Sequence, residues 1–181
     1  MKNFISFIHT ILFALAAFAI TTDADAETQT LHYPSLDATM FSIEAPADWR
    51  LSEIQEVGEF GTLESANGSV LQFRAIECES EDEARKEIDE IFDSTAKFLE
   101  TNYTDIQLDE PKEIAIEGQP GAQLTGTGKD KNGNPVTFLS AMVALGPTTI
   151  SEVWAAAYPE EIPEAQAVLQ SFKPTGSAAS E

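Results

Sequence analysis

The sequence predicts an α+β fold, a mostly antiparallel sheet of about six or seven strands with one helix on each face, forming a three-layer sandwich. Three observations lead there. Strand-like runs follow one another through short Asn-Gly, Gly-Pro and Gly-rich turns, and connections that short join antiparallel neighbours, because a parallel crossover needs a dozen or more residues. Only two segments carry helical periodicity of useful length. One strand, Val136 to Leu145, is apolar on both parities and therefore has to be covered on both faces.

The elements follow in order. Phe41-Ser42-Ile43-Glu44-Ala45 alternates and stops at Pro46, which cannot continue a ladder in a sheet interior. Glu59 to Glu64 and Ser69 to Glu77 flank Ala66-Asn67-Gly68, a strong short-range hairpin signal because Asn and Gly tolerate positive φ. Ser80 opens a helix, with Glu83 three residues on completing a capping box. Ala84, Ile88, Ile91, Phe92, Thr95, Phe98 and Leu99 then recur at helical spacing as one buried stripe that ends near Asn102.

Four extended runs come next, about 106–116, 122–129, 135–145 and 149–157. Gly118-Gln119-Pro120-Gly121, Lys131-Asn132-Gly133-Asn134 and Gly146-Pro147 are read as the turns between them. A closing helix over about 160–171 places Ile162, Ala165, Val168, Leu169 and Phe172 on one side, with Pro163 suited to its first turn. The domain is expected over 38–173, after a lead-in at 27–37 and before a mobile tail at 174–181.

Residues 1–26 have the layout of a cleavable secretory signal peptide. Lys2 supplies the positive start, Ile11 to Ile20 the apolar run, and Ala24 and Ala26 the small residues before the cut, leaving Glu27 as the new N-terminus. An uncleaved anchor is the alternative, but a spanning helix needs about 20 apolar residues and Ser6, His9 and Thr10 break this one. The expected product is an exported protein, periplasmic or secreted, with no stable membrane anchor after cleavage.

The formal net charge of −21 argues against nucleic acid or anionic lipid as a partner, since both repel it before contact. A basic protein or a cation is permitted. Cys78 is the only cysteine, so no disulfide forms within the chain and the fold stands on its core.

The order of three strands, helix, four strands and helix resembles the PsbP-like family, with which the bacterial DcrB-type exported proteins share a likeness. Phe41 to Pro46 with the following Trp49, the Asn67-Gly68 hairpin and the closing Leu169-Gln170-Ser171-Phe172 carry the resemblance over about 38–173. Proteins of this type serve as extrinsic photosystem subunits, small-GTPase binders and envelope proteins. The resemblance thus implies a binding or accessory role and no common reaction.

The residues agree with that implication. Once the leader is removed His32 is the one histidine, too few for a serine or cysteine triad or for a typical zinc site, and no glycine-rich loop opens a helix to cradle phosphate. Asp130-Lys131-Asn132-Gly133-Asn134 looks like the start of a calcium loop. It fails because its glycine stands fourth rather than sixth and Ala141 occupies the twelfth position, so it reads as a hairpin turn.

No catalytic residue, metal ligand or cofactor is expected. Two surfaces are candidates for a ligand or partner: the acidic run Glu79, Glu81, Asp82 and Glu83, suited to a basic protein or a weakly held cation, and Trp154 with Tyr158 beside three alanines. The expectation is an exported accessory or binding protein, with another envelope or secreted protein as its partner. A small apolar-ligand or lipid carrier using a groove near Trp154 is the first alternative, and an enzyme using acidic residues the second.

Overall fold

The structure is a computed structural model that describes residues 27–52 and 56–175; the leader, with Ala24 and Ala26, and residues 176–181 lie outside the described residues. Among the described residues are eleven strands and two α-helices: β1 Thr28–Tyr33, β2 Phe41–Pro46, β3 Arg50–Leu51, β4 Gly61–Glu64, β5 Val70–Glu77, α1 Glu81–Asn102, β6 Thr104–Leu108, β7 Lys112–Ile116, β8 Gln119–Lys129, β9 Pro135–Gly146, β10 Thr149–Ala157, α2 Ile162–Gln170 and β11 Lys173–Pro174.

They form two sheets, where one was expected. The large one has eight strands in the order β3-β4-β5-β10-β9-β8-β6, with β7 also paired to β8, and β1-β2-β11 form a small sheet of three. All pairings are antiparallel. The fold is α+β with the helices on opposite faces of the large sheet.

β9 and β10 show why. Val136, Phe138 and Met142, with Ile150 and Ala156, pack under Ala84, Ile91 and Leu99 of α1. Leu139, Ala141 and Val143, with Val153, Ala155 and Ala157, face Ala165, Val168 and Leu169 of α2 and the small sheet. α2 alone is too short to cover that face, so Tyr33, Phe41, Ile43 and Ala45 of the small sheet complete the layer, and all four are buried. Phe41 stacks between Tyr33 and Phe172, with centroids 5.0 and 4.8 Å away.

Within 27–37, the expected lead-in, lies β1, paired along its length with β2. Tyr33 is 0% exposed, donates its hydroxyl to the Glu59 carbonyl and accepts from the Gly58 amide, both at 2.9 Å. His32 stands in this strand opposite Ser42. At the other end Lys173 and Pro174 pair with β2, so the expected tail boundary at 174 falls inside a strand.

The run 106–116 is two strands, because Pro111 interrupts it and β6 and β7 take successive stretches of β8. The tight turn is Glu117-Gly118, at φ of 50° and 79°, one residue pair earlier than expected, and Gln119 to Gly121 already belong to β8. α1 starts where its cap predicts: Ser80 Oγ accepts the Glu83 amide at 3.2 Å. Phe98, expected in the buried stripe, is 46% exposed.

Candidate functional site

Antiparallel order brings three connections to one end of the large sheet: the β4–β5 turn, the β8–β9 turn and the exit of β10 towards α2. Between them lies a polar cleft of about 590 Å³, lined by Asn67, Asp130, Asn132, Asn134, Tyr158 and Glu160, with Pro135 and Pro159.

Its walls are tied to one another. Asp130 Oδ1 accepts the amides of Asn132 and Asn134 at 2.8 Å, and Oδ2 accepts Asn134 Nδ2 at 2.9 Å and the Tyr158 hydroxyl at 3.1 Å. Four donors favour the ionised form; the Asn134 side chain contributes most, and the carboxyl is held down at about 2. Burial pushes the Tyr158 phenol up, and its bond to Asp130 adds to this. Burial raises Tyr103 as well, with the Asp130 charge second.

The other end of Tyr158 is fixed too, because its amide donates to Ser69 Oγ at 2.9 Å. Glu161, 7% exposed, accepts Ser65 Oγ at 2.9 Å and Asn67 Nδ2 at 3.0 Å. The cleft is thus a preformed, hydrogen-bonding surface. Its Asp130 is held ionised, so the cleft presents a fixed negative charge framed by amide and hydroxyl donors.

Trp154 and Tyr158 share one apolar cluster but open onto different spaces. Trp154 faces α1, with the Phe98 ring edge-on at 5.5 Å, and lines a cavity of only about 10 Å³ with Thr95, Leu99 and Ser140. That volume is about one water molecule, and α1 fills the groove that an apolar ligand would need.

The acidic run lies at the far end of the sheet, at the start of α1. Glu83 accepts the Glu79 amide at 2.6 Å and Glu81 pairs with Arg85, so two of its carboxylates serve the helix start. Glu81 and Asp82 stand in the first turn, where negative charge complements the helix dipole. Among the described residues no group of three or more His, Cys, Asp or Glu side chains is placed to hold a metal ion.

One ionisable group escaped the sequence reading. Glu152 of β10 is 3% exposed and accepts Arg74 Nε at 2.6 Å, while the guanidinium sits 4.3 Å from the centre of the Phe60 ring. Burial pushes its carboxyl up, Arg74 opposes this, and Glu87 of α1 adds a smaller upward push. The signal was present: Glu152 is the one charged residue between Thr149 and Ala157. In the sequence Asn67 and Asn134 belong to separate turns, and only the strand order joins them.

This architecture is PsbP-like. No family model matches the chain, and no curated protein sequence matches it. Among solved structures it is similar to cyanobacterial PsbP (CyanoP) from Synechocystis sp. PCC 6803, with a TM-score of 0.55 and 11% identity over 84% of this chain and 95% of that one. It is also similar to a protein from Bacteroides thetaiotaomicron VPI-5482, with a TM-score of 0.51 and 14% identity over 76% of this chain, although it spans only 46% of that longer one. A looser match is the Saccharomyces cerevisiae Ran-binding protein Mog1p, with a TM-score of 0.49 and 10% identity over 83% and 96% of the two chains.

Proposed function

We propose that the protein is an exported accessory protein of the PsbP-like type that binds another envelope or secreted protein. One observation carries this reading: the cleft at the end of the large sheet is preformed, with Tyr158 fixed at its amide by Ser69 and at its hydroxyl by Asp130. A rigid polar surface loses little conformational entropy on binding. Export rests on the leader read from the sequence, and periplasmic or secreted location follows from it.

The test is a photo-crosslinking residue at Asn132, which lines the cleft and is exposed, in protein expressed in its own host. A specific protein adduct, lost when free protein lacking the crosslinker competes, is expected. Native mass spectrometry of the same material that shows a bound lipid and no protein partner would replace this reading with the carrier.

One observation favours a second reading. Glu152 is a buried carboxylate with a raised pKa, the kind of group an enzyme using acidic residues requires. Turnover in a screen of glycosides and esters that disappears in Glu152→Gln, with folding intact, would establish it.

A further inference from the structure

We propose that the outer edge of β7 docks an extended, basic segment of another protein, added to the large sheet as a further strand. This goes beyond the cleft reading, since β7 borders the start of β8 and the cleft its end, and it rests on the accessory reading only for the existence of a protein partner.

The hairpin geometry sets which backbone groups are free. With both residues of the Glu117-Gly118 turn at positive φ, the turn is the two-residue mirror-image type whose flanking residues, Ile116 and Gln119, form a hydrogen-bonded pair. Such pairs alternate along an antiparallel ladder. Ile114 and Lys112 therefore bond inward to Gly121 and Gln123, while Glu113 and Ala115 point their N–H and C=O groups outward. Pro120 stands opposite Ala115, in a non-bonded position, so its missing N–H takes nothing from the hairpin.

Among the described residues β7 pairs with β8 and with no other strand. β6, the neighbouring stretch of the same edge, is less regular: its register with β8 shifts and Asp105 has φ of 52°.

Beside β7, on the α2 face, lies an open groove of about 400 Å³ lined by Ile114, Ala115, Ile116, Ala141, Leu169 and Gln170. Alternate side chains of an added strand fall on that face. The flanking charges are Glu110, Glu113 and Glu117 against Lys112, on a chain of net charge −21. A second copy is repelled, whereas lysine- or arginine-rich sequence with apolar residues at alternate positions is attracted.

The experiment uses the purified protein and a blocked peptide of alternating lysine and valine, with the glutamate-for-lysine peptide as control. Amide hydrogen exchange is read by NMR. The basic peptide is expected to slow Glu113 and Ala115 about tenfold or more, with a smaller change at Ile114, whose amide already bonds β8. Ala115→Pro removes an outward N–H without touching a β7–β8 bond and is expected to weaken binding about tenfold.

The wild-type exchange pattern stands even if that variant misfolds. Unchanged exchange at both amides, equal slowing by the glutamate peptide, or slowing without peptide that deepens with protein concentration would each overturn the proposal. Such a result leaves the accessory reading to its own crosslinking test: an adduct at Asn132 with a silent β7 edge means that the partner docks elsewhere.

Discussion

The Tyr158 hydroxyl donates to Asp130 Oδ2 at 3.1 Å and so ties the exit of β10 to the turn between β8 and β9. Because Asp130 in the fold titrates at about 2, below its ordinary 3.8, its stabilisation is fully present above the ordinary value and is lost as pH falls towards 2. Asp130→Asn is expected to remove that acid limb from urea midpoints measured across this range. The Tyr158 phenol, in turn, should titrate lower in the variant by ultraviolet absorbance. Tyr158→Phe, which deletes one bond, is expected to cost about 1 kcal/mol.

Glu152 moves stability the other way. Its folded pKa is raised, so the fold holds its proton more tightly than the unfolded chain does. The associated stability is present below the ordinary carboxylate range and declines as pH rises through the folded value. Glu152→Gln is expected to flatten that decline in thermal melts at stepped pH. Arg74→Met leaves the buried carboxylate without its cation and is expected to cost about 2 kcal/mol at neutral pH, under the range for fully buried pairs because Arg74 is partly exposed. The loss should shrink in acid, where Glu152 is protonated.

Tyr33 makes β1 part of the core. Tyr33→Phe keeps the stacking on Phe41 but removes the hydroxyl that accepts the Gly58 amide and donates to the Glu59 carbonyl. A loss of about 1–3 kcal/mol in denaturant unfolding is expected. A change within error would mean that water replaces the hydroxyl at no cost.

Adjacent residues on α1 should behave differently. Leu99 is 1% exposed under Val136 and Phe138, and Leu99→Ala is expected to cost about 2–5 kcal/mol. Phe98→Ala loses an edge contact with Trp154 and little burial, and is expected to cost about 1 kcal/mol. Paired chemical denaturation curves decide, and equal losses would place Phe98 in the core after all.

Local chemistry in the sequence carried far. The Ser80 cap, the Asn67-Gly68 turn and the two-sided apolar character of Val136 to Leu145 each state a requirement that neighbours alone satisfy: a donor at a helix start, positive φ, cover on both faces. From these follow α1, the β4–β5 hairpin, and a sheet between two helices. Where the reading slipped, the deciding partner was distant. Thr28 to Tyr33 carries weak alternation, and only pairing with β2 and the seat of Tyr33 against Phe41 make it a strand.

The candidate site divides along the same line. The sequence by itself determined the acidic charge, the single cysteine, the turn formed by Asp130 to Asn134, and Trp154 and Tyr158 as the aromatic side chains of one strand and its exit. Only the tertiary structure decided that Tyr158 meets Asp130, that Trp154 turns to α1 instead, that Glu152 is buried against Arg74, and that β7 pairs, among the described residues, with β8 alone. Turns and caps are set by a few consecutive residues, whereas these contacts join positions 28 and 78 residues apart, and sheet order alone brings such positions together.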